Sequence, residues 1–186
     1  DVHASAALRR GRGLSWALCL MNSETFTCPQ CGQEHHRGEL ELSYKRPDVV
    51  NAMPSEQRAA EVSENDDGCR TKDGRFFIRG VIPLDIAGRD QPYRIGAWVE
   101  LDQASFERVA ELWSDPNQGD EPAFPAKLAN NIRLLPSTLG LLVQLKLTGE
   151  TSRPDILVPA SSHPLHHEQC TGISEHRAFE YSEGLA

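Results

Sequence analysis

Two apolar stretches do most to limit how this chain can fold: FFIRGVIPLDI, residues 76–86, and YRIGAWVEL, residues 93–101. Only AGRDQP separates them, which is too short for a crossover connection, so the two strands must pair antiparallel as a hairpin. The two-residue period of a strand puts Tyr93, Ile95, Ala97 and Val99 on one face and turns Trp98 to the other. Just upstream, Lys72-Asp73-Gly74 fits a turn between these strands and a shorter one that opens at Cys69. Thr25 to Thr27 reads as a short strand, ELELSY places Leu40, Leu42 and Tyr44 on one strand face, and LGLLVQLKLTG and RPDILVP are two further strands joined through Gly149 to Ser152.

Helical signals fall between and after these strands. PSEQRAAEV has Pro54 near a first turn and an alanine-rich middle. Asp102 has the character of an N-cap before Phe106, Val109, Ala110 and Trp113, an apolar stripe at helical spacing that Pro116 ends. NQGDEPAFPAKLANN is expected to be a loop, and the tail after Pro159 two short helices split at Gly172, the second capped by Ser174. Runs of strands with helices inserted late predict an α+β fold, a mainly antiparallel sheet with short flanking helices. The expected organisation is one domain over residues 21–186. Residues 1–20 carry Arg9, Arg10 and Arg12 before a short apolar run and imitate a secretory signal without its cleavage site; they are expected to be a non-native or disordered extension, with Met21 as the natural start.

With 19 Lys and Arg against 27 Asp and Glu, the chain has a net charge of −8. That balance argues against nucleic acid and toward a basic protein partner, since phosphate backbones are bound by concentrated Lys and Arg. No apolar run approaches the roughly 18 residues of a membrane span.

The strongest chemical signal is TFTCPQCGQEHH, residues 25–36, where Cys28, Cys31, His35 and His36 crowd together. Cys-x-x-Cys in a tight turn places two thiolates beside one ion, Gly32 suits that turn, and zinc takes four such donors. A single pair is half a site. The expected set is Cys28, Cys31, Cys69 and His35 around a structural Zn2+, an N-terminal zinc knuckle, with His36, His163, His166, His167 and Cys170 competing for the later positions. A redox dithiol is the alternative, but that chemistry belongs at a strand-to-helix junction and the sequel here is strand-like. Inert thiols are another, and Cys69 fits a buried small hydrophobe as well as a ligand. The five cysteines, odd in number and unevenly spaced, do not form a disulfide framework, which favours reduced thiols and a cytoplasmic address.

No P-loop, Gly-rich dinucleotide turn or G-x-S-x-G elbow is present in the sequence. Cys170 with His166 or His167 resembles a nucleophile–base pair but lacks an orienting third group. Two functions follow: a zinc-stapled module that binds a macromolecule in a regulatory or immunity-type role, or a hydrolase-type enzyme whose zinc keeps an open position, with His163 or Glu168 as general base.

Taken in order, FTCPQCGQEH, CRTKDGRFFIRGVIPLDI, YRIGAWVELDQASFERVAELW, TSRPDILVPASSHPL and EQCTGIS resemble the bacterial family catalogued as domain of unknown function 2199, over about Phe26 to Ile173. The resemblance implies that Cys28, Cys31, His35, Cys69, Trp98, Arg153, Pro154, His163, Pro164, Leu165 and Gln169 fall on the family's marked positions. The family's pattern usually has arginine where this chain has Cys170, which lowers that thiol as ligand or nucleophile. The resemblance implies no reaction.

Overall fold

The computed structural model describes residues 25–27, 32, 34–36 and 41–183. The expected hairpin is its backbone: β6 (Phe76–Leu84) and β7 (Tyr93–Leu101) pair antiparallel along their whole length, from Phe76 opposite Leu101 to Leu84 opposite Tyr93. Around them lie β3 (Glu41–Ser43), β4 (Val62–Glu64), β5 (Gly68–Thr71), β8 (Phe124–Leu128), β9 (Leu142–Lys146) and β10 (Asp155–Leu157). Thr25–Thr27 (β1) pairs separately with Glu34–His36 (β2), Thr27 standing opposite Glu34.

The sheet closes. Its order β7-β8-β9-β10-β6, with β6 returning to β7, makes a five-stranded barrel. The fold is α+β as expected and its pairings are mostly antiparallel, but β10 runs parallel to β6 and β3 parallel to β7, so the sheet is mixed. Closure removes the exposed edges that an open sheet would leave. Outside the barrel, β3 adds to β7, and β4 and β5 extend the far edge of β6, where β5 pairs with residues 76–78 and β10 then takes over at Val81.

Alternation sorts the wall. Ile78, Ile82 and Leu84 of β6, and Tyr93, Ile95, Ala97, Val99 and Leu101 of β7, point into the barrel, where they meet Leu128, Val143, Leu145 and Ile156. Each fully buried aliphatic side chain contributes roughly 1.5–3 kcal/mol, so this interior holds the fold together. Gly80 is required here: a Cβ would stand 2.7 Å from Ile156 Cγ1 and 2.9 Å from the Pro154 carbonyl oxygen. On the outside, Cys69, Phe77, Trp98, Ala129 and Val50 form a second, smaller cluster.

The helices cover the barrel. Asp102 caps α3 (Gln103–Leu112) by accepting from Ser105 N at 2.8 Å, and Val109 and Leu112 are its buried residues. Ala110, expected in the apolar stripe, is exposed. The tail forms α4 (Pro164–Thr171) and α5 (Glu175–Glu183), split at Gly172 as expected. Gly172 has φ +77° and a Cβ there would lie 2.8 Å from the Asp85 carbonyl oxygen, which accepts from Ile173 N. Short helices α1 (Asp48–Asn51) and α2 (Ser55–Glu61) complete the set, the first unanticipated. The expected loop 117–131 contains β8. Its two prolines hid the strand, yet Pro125 sits where β8 has not begun to pair with β7, so its missing N–H breaks no bond on that side.

Candidate functional site

Of the expected zinc ligands, Cys28 and Cys31 lie outside the described residues, as do residues 1–20. His35 is described through its backbone, paired with Phe26 in the β1–β2 ladder. Cys69 is described in full. It stands opposite Phe77 on the outer face of the sheet, 1% exposed, in the cluster with Trp98 and Val50. Burial, reinforced by the charge of Glu64 and partly opposed by Arg46, pushes its thiol up to about 11. At neutral pH the free side chain is therefore a protonated, apolar group. Among the described residues no three His, Cys, Asp or Glu side chains gather as a metal site.

The tail residues have structural duties. His163 caps α4: its Nδ1 accepts from Leu165 N at 3.1 Å, which leaves Nε2 to donate to the Pro136 carbonyl at 3.3 Å. Both ring nitrogens are thereby used. His166 Nδ1 lies 3.0 Å from the Val158 carbonyl and donates to it, and Cys170 Sγ is 3.7 Å from both nitrogens of that ring. A sulfur equidistant from the two lies in line with neither lone pair, so no proton relay joins them. Glu168 accepts from Arg177 Nε at 2.9 Å and from the Tyr181 hydroxyl at 2.5 Å. Gln169 ties α4 to β10, accepting from Val158 N and donating to the Ile156 carbonyl.

The opening best suited to a ligand lies elsewhere, between α3 and the turn before β5. Asn65 shapes that turn by accepting from Asp67 N and Gly68 N through one side-chain oxygen. The cleft has a volume of about 500 Å3, a floor of Ile78, Phe106, Ala110 and Trp113, and a lip of Asn65, Asp66 and Asp67. Phe106 is held by Phe76, ring centroids 5.2 Å apart. Asp67 is engaged by Arg153 Nε at 2.6 Å. Asp66 has no ion-pair partner among the described residues. Apolar and aromatic walls with one carboxylate that has no direct ion pair among the described residues suit an apolar group that carries a positive charge. The sequence signal was there in Phe106, Trp113 and the ENDDG run, but nothing in the chain order says that they meet.

Comparison with known proteins identifies one relation. The family model described as an uncharacterized protein conserved in bacteria, DUF2199, matches residues 27–173. No curated protein and no solved structure matches the chain. No helix among the described residues is long and apolar enough to cross a membrane.

Proposed function

Starting from the membership of this chain in the DUF2199 family of uncharacterized bacterial proteins, we propose that it is a binding module whose cleft beside α3 takes a basic side chain of a protein partner. The observation that carries this reading is Asp66, without an ion-pair partner among the described residues, at the lip of an aromatic floor. The net charge of −8 adds a long-range attraction for basic partners. The enzyme reading is not adopted, because His163 and Glu168, its general bases, are both committed to holding α4 and α5 in place. A cytoplasmic setting belongs to the same proposal, supported by the exposed free thiol of Cys170.

Trp113 reports on the cleft directly. Short peptides with arginine or lysine beside an aromatic residue are titrated while tryptophan fluorescence is followed. A saturable change that is lost in Asp66→Lys and weakened in Phe106→Ala supports the site; binding unaffected by Asp66→Lys overturns it.

Structural zinc remains part of the proposal, held by Cys28, Cys31, Cys69 and His35. Its support is the antiparallel pairing of β1 with β2, which brings together the two ends of the CPQCGQ loop, and the left-handed φ of +70° at Gly32 within it. Ligation by Cys69 has to overcome the high pKa of that thiol. Elemental analysis of protein purified without chelator decides: about one equivalent, lost in Cys31→Ser with a large fall in stability, supports the knuckle, and less than roughly a tenth of an equivalent ends it.

A further inference from the structure

We propose that the outer face of the barrel carries a phosphate-binding site formed by Arg79, Arg153 and Ser43 over Gly96. Arg79 stands where the far edge of β6 changes partners. Its backbone N–H donates to the Asp67 carbonyl at 2.8 Å, and two residues on, Val81 N donates to the Pro154 carbonyl at 2.9 Å. Because Asp155 is the parallel partner of Val81, continuing that register backwards places Arg153 beside Arg79 on the same face. On the other side, Gly96 of β7 is paired with Ser43 of β3. A Cβ on Gly96 would come to 2.9 Å from Ser43 Oγ and 3.7 Å from Arg79 Nη2. The missing side chain thus leaves the slot in which the guanidinium reaches Ser43.

The cluster is rich in donors and poor in acceptors. Arg79 donates through Nη2 to Ser43 Oγ, its Nη1 has no acceptor among the described residues, and its Nε, lacking one too, is buried beneath these two nitrogens, so that the Nη end is the part an anion reaches. Arg89 and Arg133 each leave one buried nitrogen unpaired as well, but Arg89 has Glu175 at 3.0 Å and Arg133 the Ser182 carbonyl at 2.7 Å. For Arg79 the only acceptor among the described residues is a hydroxyl. Arginine cannot accept, so the Ser43 proton is free to donate outward. Burial and the neighbouring charge of Arg153 both disfavour the Arg79 cation, with Asp67 and Asp66 opposing them. Among the described residues the Arg153 side chain is held only by its exposed pair with Asp67, a type of contact that contributes little, so it can turn to an incoming anion. A fork of guanidinium donors with a hydroxyl beside it matches the several acceptor oxygens of a phosphate group.

The probe is inorganic phosphate, added at constant ionic strength against chloride, with acetate in parallel and with free phosphoserine as a phosphate ester. Side-chain Nε–H resonances are followed by NMR and melting by calorimetry. The expected result is a saturating shift of the Arg79 Nε–H with phosphate and with phosphoserine, and a rise in Tm that Arg79→Met abolishes and Arg75→Met retains, since Arg75 is already paired with Glu100. An equal rise in Arg79→Met, or an equal response to acetate, overturns the proposal. Should Arg79→Met not fold, the wild-type spectrum decides: no saturating shift up to roughly 10 mM phosphate, ten times a millimolar Kd, overturns it.

Discussion

Arg177 and Arg79 are both half-buried arginines on the flank of one barrel, and they are provided for in opposite ways. Arg177 in α5 gives Nε to Glu168 at 2.9 Å, Nη1 to Glu180 at 3.1 Å and Nη2 to the Leu134 carbonyl at 3.2 Å, and lies 4.6 Å from the Tyr181 ring centroid. It thereby joins α4, α5 and the loop at Leu134, whose φ of +66° is unusual for a side-chain-bearing residue. Arg79 on β6 has a serine and an unpaired nitrogen. A guanidinium with several acceptors fastens elements together; one with so few leaves donors for something outside the chain.

The comparison breaks if the two respond alike to mutation. Replacing Arg177 with Met should cost the most, about 2–3 kcal/mol by denaturant unfolding, because it leaves Glu168 partly buried without its cation. Next in size is a loss of stability in alkali. The Cys69 thiol is raised from 9.0 to about 11 and burial drives the Tyr181 phenol further up. In zinc-free protein both groups hold their protons more firmly when folded, so the thiol's stabilisation is complete below pH 9 and is lost as pH climbs through 9 to 11, by about 2 kcal/mol, while the phenol's is complete below pH 10 and declines above it. Cys69→Ala should remove the lower part of that decline and Tyr181→Phe the upper part, as measured by melting at a series of pH values. At neutral pH, Tyr181→Phe should cost about 1–2 kcal/mol, the loss of a hydrogen bond to a carboxylate that keeps its arginine and of a long one from Arg177 Nη2. Arg79→Met, without phosphate, should change stability by less than about 0.5 kcal/mol or raise it, since a desolvated and poorly paired cation is removed. A cost near that of Arg177→Met would make Arg79 a structural arginine as well.

Much of the barrel wall was legible beforehand. The two-residue period of Tyr93 to Val99 and the turn residues at 72–74 specify pairing through contacts only a few residues apart in sequence. The Asp102 cap and the Gly172 break are equally local. What was missed is non-local: closure through β10 beside β6, β8 disguised by prolines, and the role of Glu168, which on sequence grounds serves as well for a base as for an ion pair. Asn130 shows the same limit. It is fully buried, accepting from Trp98 N and donating to the Arg46 carbonyl and Asp48 Oδ1, each at 2.8 Å, yet in the sequence it is one of two adjacent asparagines in an expected loop. Of the candidate sites, the zinc knuckle came from spacing alone, whereas the cleft and the arginine row came from assembly.

By itself the sequence determined the strand faces, the helix caps, the acidic balance and a Cys-x-x-Cys spacing, because each depends on side-chain chemistry acting over a few residues. The tertiary structure decided that β6 closes back on β7, that Asp66 meets Phe106 and Trp113, and that Arg153 lies beside Arg79. Those outcomes depend on register and on the exchange of partners along one strand edge, and a linear chain does not contain them until the apolar faces have been buried.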